Sequence, residues 1–253
     1  MTDHVSVTHD DGVVLVRIAR PEKKNALTGA MYDAMTGALA AADRDGAGAI
    51  VIAGSGGVFT AGNDLADFLA FAERSEGELP ASRFIRQLAV TRTPLVAAVE
   101  GVAIGVGTTM TFHCDLVYAA PTATFRMPFV DLGLVPEAGS SFLLPGRVGR
   151  AKATELLMLG EPYNAGEAAR LGLINAVVEA DELVTHALAQ AKRLAAKPRG
   201  ALTATRRLIR GDEGQLLAAM RAEAEAFEAA LKSADARRIF KAFLDKSAER
   251  RSP

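Results

Sequence analysis

Glu137, in the run VPEAGSS, is the carboxylate whose neighbours most invite acid–base chemistry. Phe129, Val130, Leu134 and Phe142 flank it, and packed around it they would desolvate the carboxylate and raise its pKa, opposed by a following helix N-terminus. A proline followed by an acid is equally suited to a plain helix start. Gly101, Gly105 and Gly107 surround a turn from an apolar strand into an apolar helix. Such a turn lets backbone N–H groups approach a negative oxygen, or simply lets strand and helix pack closely. FTAGNDL, at 59–65, is open to the same two readings. Lys23 and Lys24 in RPEKKNAL are point charges suited to phosphate, or solvated loop lysines. Asp131 is a turn-forming acid beside Gly133, or faces a pocket if its strand ends near Met127. His113, beside Cys114 in an apolar helix, reads as a satisfied core histidine. No histidine is placed to activate Ser140 or Ser141, which suit a helix start, and His4, His9 and His186 read as surface residues.

The elements that must position these residues follow from periodicity. Val5 and Val7, then Val13 to Ile18, alternate as strands, followed by a turn at Pro21 to Asn25 and an alanine-rich helix that Thr28 can cap. A strand is predicted at Ala49 to Ala53, a short helix with Leu65, Phe68 and Leu69 as its apolar positions, and a mobile surface loop over ERSEGELP, from Glu73 to Pro80. A helix near Arg83 to Val90, a buried strand at Leu95 to Val99, the glycine-rich turn, a helix to Phe112 and strands at Leu116 to Tyr118 and Ala123 to Arg126 complete an α/β pattern. Ligand sites in such a pattern lie where strands end and helices begin. A further helix follows VPEAG to about Val148. Beyond Lys152 the chain reads as helical, with apolar stripes at Leu216, Met220, Phe227 and Leu231 and at Ile239, Phe240, Phe243 and Leu244 that need a partner. A boundary near Pro198 separates a core of residues 1–197 from a helical region of residues 198–253.

With 253 residues, 49% of them hydrophobic, the chain can bury a large core. Its 29 basic and 30 acidic residues give a net charge of -1, which argues against a nucleic-acid or membrane-surface partner. The single cysteine, Cys114, cannot close an intrachain disulfide and reads as a small core residue. No Cys/His cluster has zinc spacing, so no metal is expected. MTDHVSVTHDDG lacks a basic n-region and an apolar h-region, and the uncharged run Gly101 to Cys114 is shorter than the roughly 18 residues of a membrane span. These features lead us to expect a cytoplasmic protein.

The stretch from Thr93 to Gly149, together with FTAGNDL, resembles the enoyl-CoA hydratase/isomerase (crotonase) family, and within it the peroxisomal-type Δ3,Δ2-enoyl-CoA isomerases. The resemblance implies an α/β fold, a spiral of ββα units with a C-terminal helical oligomerisation region forming homotrimers or hexamers. It implies an acyl-CoA thioester substrate, coenzyme A being part of the substrate, and no separate cofactor. The backbone N–H groups of Asn63 and Val106 would form an oxyanion hole for the thioester oxygen. Glu137 falls where the isomerases carry their catalytic glutamate. Hydratases carry two glutamates at the positions of Thr109 and Phe129, so hydratase chemistry is not expected here. The alternatives are another crotonase-type enzyme, a weak enoyl-CoA hydratase or a thioester hydrolase using Asp131, and a non-catalytic acyl-CoA-binding protein. Lys23, Lys24, Ala61, Asp64 and Leu65 would contact coenzyme A, with Phe243 and Lys246 reaching the coenzyme A of a neighbouring subunit. Phe68, Phe71 and the loop after Glu73 would line the acyl pocket.

Overall fold

Valine and isoleucine alternate along Val13–Ile18 (β2) so that Val14, Val16 and Ile18 face one core while Val13 and Leu15 face another. β2 pairs antiparallel with β1, Val5–Asp10, and parallel with β3, Ala49–Gly54, which in turn pairs parallel with β4, Leu95–Val99. Both faces of β3 and β4 are covered, as continuous apolar runs in parallel sheets require. β6, Leu116–Ala119, and the two-residue β9, Ala176–Val177, extend this sheet to the order β1-β2-β3-β4-β6-β9. A computed structural model of the chain describes residues 2–67, 69 and 78–249, without the side chains of 243–249. The expectations for Phe68, Phe71 and the loop at 73–77 lie outside the described residues, as do the side chains of Phe243 and Lys246.

A second, smaller layer begins where the large strands end. The glycine-rich turn expected after β4 contains a short strand, β5, Val102–Ile104, which pairs with β7, Thr124–Arg126, and through it with β8, Tyr163–Asn164. Thr60 bridges to Ala103 and Asn63 to Leu27, so FTAGNDL and the segment before the first helix continue the same layer. Each turn of the chain thus gives one long strand to the first sheet, one short strand or bridge to the second, then a helix. The helices are α1, Gly29–Asp45, with Thr28 accepting from the Met31 N–H as its cap; α2, Pro80–Val90; and α3, Val106–Thr109, continued by a 3-10 turn at Met110–His113. α4 runs Ser140–Met158 with a break at Gly149, close to the predicted end at Val148.

Beyond Lys152 the chain is not wholly helical: β8 and β9 return it to the two sheets, flanking α5, Ala165–Arg170. Strands of two residues carry too little periodicity to be seen in sequence. α6, Leu183–Ala195, lays Leu183, Ala187 and Ala191 on the face made by Val13, Val51 and Ala98. After Pro198 come α7, Arg199–Arg210; α8, Glu213–Leu231; and α9, Ala234–Glu249. The apolar stripe of α8 has its partner within this chain, against α2 and α4, with Leu231 and Phe240 buried. The most exposed large apolar side chains among the described residues are instead Leu208 and Ile209 of α7, 78% and 80% accessible. Among the described residues, no helix is long and apolar enough to cross a membrane.

Asn25 fixes the loop that carries the two lysines. Its φ of 54° lies in the left-handed region, where asparagine is tolerated. Its side chain accepts from the Arg20 N–H at 2.7 Å and donates to the carbonyls of Ser55 and Val58 at 3.0 and 2.6 Å. Asn25→Ala should therefore lower unfolding free energy by about 3 kcal/mol in urea titrations, because three part-buried backbone groups lose the partner that the buried Asn25 side chain supplies. A loss below about 1 kcal/mol would show that the loop relaxes to satisfy them.

Candidate active site

The two glycine-containing loops meet at two points of close approach. A Cβ on Gly62, whose φ is 87°, would sit 2.7 Å from the Ile104 carbonyl oxygen. One on Gly107 would meet Thr60 Cγ2 at 2.7 Å and Thr60 O at 2.9 Å. Only glycine permits this spacing, which sets Asn63 beside the start of α3. In the bridge to Leu27, Gly62 O accepts from the Leu27 N–H and Leu27 O accepts from the Asp64 N–H, leaving the Asn63 N–H turned away from that partner. Val106 opens α3, where no preceding carbonyl reaches its N–H. Among the described residues, neither the Asn63 nor the Val106 N–H has an acceptor. Two adjacent, unpaired backbone donors can stabilise a negative oxygen placed between them.

Glu137 lies opposite α3, in a turn rather than at a helix start: α4 begins three residues later, at Ser140. Thr109 Oγ1 donates to Glu137 Oε1, so the residue standing at the first hydratase position orients the carboxylate. Burial pushes the Glu137 carboxyl up to about 8, the Thr109 hydrogen bond opposing and the Glu223 carboxylate adding to the rise. The four residues expected to shield it do not act together. Phe129 and Leu134 are in the core, but Val130 and Phe142 are 50% and 44% exposed, because the 3-10 turn at Val130–Leu132 and the first turn of α4 point them outward. Tyr32 of α1 takes their place. It is buried, its hydroxyl donates to Asn63 Oδ1, and burial with the nearby Glu137 and Asp67 carboxylates raises its phenol well above its ordinary value. Leu27, Tyr32, Asn63, Leu79 and Ala81 line a cleft beside these groups.

The other site residues divide by what their polar groups already do. Lys23 and Lys24 are exposed at the rim, and the Lys24 carbonyl accepts from the Ala61 N–H at 2.9 Å, so the lysine loop and FTAGNDL are side by side. Asp64 is committed within the protein: its Oδ2 accepts from Arg20 Nη1 at 2.8 Å and its Oδ1 from the Asp67 N–H at 3.2 Å. Burial acts to raise that carboxyl, but Arg20 and the N–H groups of Asp67 and Ala66 together hold it below its ordinary value. Leu65 packs on the core. Asp131 is exposed and paired with Arg126 at 2.9 Å, with its strand ending at Arg126, so it stands at the surface as a turn-forming acid. His113 is buried, and burial pushes it down to about 4, so it is neutral and donates from Nε2 to the Ala138 carbonyl at 2.7 Å. Cys114 is buried in the core, its thiol pushed up to about 12 by burial. His4 and His186 are half-buried, the latter edge-on to Tyr118, rather than at the surface.

Residues 8–251 match the family model described as enoyl-CoA hydratase/isomerase. The chain belongs to this family. A probable enoyl-CoA hydratase of Mycobacterium bovis is 34% identical over 248 residues, 96% of each chain. Enoyl-CoA delta isomerase 2 of Homo sapiens is 35% identical over 223 residues, covering 86% of this chain and 57% of its own length. The solved structure of an enoyl-CoA hydratase/isomerase from Pseudoalteromonas atlantica matches with a TM-score of 0.91 at 39% identity, over 96% of this chain and 98% of that one. The spiral of ββα turns is accordingly the crotonase fold. Hydratases and isomerases of the enoyl-CoA hydratase/isomerase family stand at similar identity to this chain, so overall likeness does not choose between the two reactions.

Tyr32 and Glu223 were not anticipated from the sequence. Tyr32 meets Asn63 across 31 positions, a contact without local signal. Glu223 did leave one: it interrupts the apolar spacing Leu216, Met220, Phe227, Leu231, and a charge inside such a stripe must be paired. The raised value of Glu137 has a consequence for stability. Between its ordinary 4.5 and about 8, the folded protein holds a proton that the unfolded chain has released. Stability therefore falls as pH rises through that window and levels off above it. Glu137→Gln removes this dependence, so its melting temperature should exceed the wild type's at about pH 9 and match it near pH 4. Equal melting at both pH values would contradict the burial of the carboxylate.

Proposed function

We propose that this protein is a Δ3,Δ2-enoyl-CoA isomerase, converting 3-enoyl-CoA to 2-enoyl-CoA. The observation that carries the reading is the desolvated carboxylate of Glu137, held by Thr109 and pushed up to about 8, alongside two unpaired backbone N–H groups. Moving the double bond requires removal of a proton from C2 and return of a proton to C4, and one carboxylate can serve both carbons. A base with a value near 8 is matched to this transfer close to neutral pH, where an exposed glutamate is too weak. As C2 loses its proton, charge moves onto the thioester oxygen to give a dienolate, and the N–H groups of Asn63 and Val106 are assigned to that oxygen. They act most strongly in the charged intermediate, which lowers the barrier rather than merely holding substrate.

Hydration calls for groups that activate a water and deliver a proton. At the two hydratase positions, Thr109 is spent on Glu137 and Phe129 is buried without an ionisable group. Glu223, the other acid near Glu137, is occupied by the N–H groups of Gly139 and Ser141. Hydrolysis through Asp131 is disfavoured by its exposure and its pairing with Arg126. In the proposed complex Lys23 and Lys24 face the phosphates of coenzyme A, with Ala61 beside them and Phe243 and Lys246 supplied by a neighbouring subunit of a homotrimer or hexamer in the cytoplasm. The proton shuttle needs no metal or redox group. The test is incubation of the purified protein with 3-hexenoyl-CoA, following 2-enoyl-CoA formation. Absence of turnover with acyl-CoA still bound would replace the isomerase reading with a hydrolase or a non-catalytic binding protein.

A further inference from the structure

We propose that Glu223, on the C-terminal helix α8, is a positioning residue for Glu137, fixing from a distance the turn on which the carboxylate rides. The inference rests on Glu137 being the proton shuttle. Glu223 is buried, its Oε2 accepting from the Gly139 N–H at 2.6 Å and its Oε1 from the Ser141 N–H at 2.9 Å and from the Ser141 hydroxyl. Between those donors, Ser140 gives its N–H and its hydroxyl to the Glu137 carbonyl, at 3.0 and 2.6 Å. The turn is one the chain does not adopt freely: Ala138 and Gly139 have φ of 59° and 70°, and a left-handed backbone is unfavourable for alanine. A Cβ on Gly139 would meet Leu216 Cδ1 at 2.6 Å and Met220 Cγ at 3.2 Å, so α8 is seated directly on it. A serine or aspartate adjacent in sequence would cap α4 equally well. A glutamate brought from a distant helix adds something a local cap does not, a fixed negative charge behind the turn. The charged group acting on Glu137 is the Glu223 carboxylate of α8; the Tyr32 phenol of α1, itself raised by Glu137, is uncharged, and the neutral His113 holds the Ala138 carbonyl.

Glu223→Gln and Glu223→Asp separate positioning from folding. In Glu223→Gln the charge and one acceptor are lost at constant volume. We expect 3-hexenoyl-CoA KM within about twofold of wild type and kcat lower by roughly ten- to a hundredfold, the range for a carboxylate displaced within its site. The acid midpoint of kcat/KM should move to lower pH in Glu223→Gln and stay near wild type in Glu223→Asp, which keeps the charge. Unchanged kcat in Glu223→Gln overturns the proposal, as do parallel losses of kcat, KM and melting temperature with an unmoved midpoint. A carbon-13 NMR titration of labelled glutamate, assigned with Glu137→Gln, reports the Glu137 carboxyl without turnover. Should the wild type fail to isomerise, the functional reading falls, but the positioning of Glu137 is still decided. A Glu137 midpoint that moves down in Glu223→Gln supports it, and an unmoved one overturns it.

Discussion

Glu137→Gln should bind 3-enoyl-CoA as wild type does and isomerise it about a hundred to ten thousand times more slowly, the range for removing a general base. The substitution is close to isosteric, and a glutamine oxygen still accepts the Thr109 hydroxyl. The surrounding turn keeps its bonds to His113, Ser140 and Glu223, none of which uses the Glu137 carboxyl. What disappears is the capacity to take a proton from C2. Because the proposed thioester and coenzyme A contacts are made by other residues, KM should change little, the pattern expected when an interaction made only in the transition state is removed. In the wild type, kcat/KM should rise with pH and level off above about 8, since the shuttle needs its carboxylate form. Turnover that survives in Glu137→Gln would transfer the chemistry to another acid. Loss of binding together with turnover would show that Glu137 holds the loop instead.

Gly62→Ala should cost about a hundredfold or more in kcat while leaving most of the fold intact. The added carbon would lie 2.7 Å from the Ile104 carbonyl oxygen, which belongs to a strand of the second sheet and cannot swing aside as a flexible side chain would. The loops must part, and the Asn63 N–H moves relative to that of Val106. Losing one such donor raises a barrier by about 3 kcal/mol. The left-handed φ of 87° adds a backbone penalty of about 1 kcal/mol, so a control is needed. Gly12→Ala supplies it: its φ is 75°, with nothing within 4 Å of the new Cβ, so it carries the backbone strain without the clash. Both variants should melt below wild type, Gly62→Ala by more because it adds the clash to the strain, and only Gly62→Ala should lose kcat. Equal kcat in the two would remove the two N–H groups from the reaction.

Much of this arrangement is written in short-range pattern. The alternation in Val13–Ile18, the unbroken apolar run of Leu95–Val99 and the Thr28 cap depend on residues within a few positions of one another. Each therefore appears in the sequence as it does in the structure. His113 and Cys114 follow the same logic, since an apolar helix segment predicts burial whatever covers it. The shielding of Glu137 does not follow it. Neighbours in sequence were expected to bury the carboxylate, yet two of the four turn outward, and its surroundings come from Tyr32, Thr109 and Glu223 on three other helices.

What the sequence by itself determined is which residues are candidates for chemistry and where the longer strands and helices run: Glu137 in VPEAGSS with Asp131 as a second acid, glycines in two loops, a repeating strand-and-helix pattern, and, through the family resemblance, no carboxylate where hydratases carry theirs. Composition, periodicity and side-chain type are local quantities. Only the tertiary structure decided that Gly62 is pressed against Ile104 and Gly107 against Thr60, that Asp64 is taken by Arg20, that Asp131 is exposed and paired with Arg126, and that α8 returns to cap the turn holding Glu137. Those outcomes are set by which backbone lies within a few ångströms of which, across separations of up to 84 positions. Over such distances the path of the chain, through sheet register and helix packing, chooses the partner.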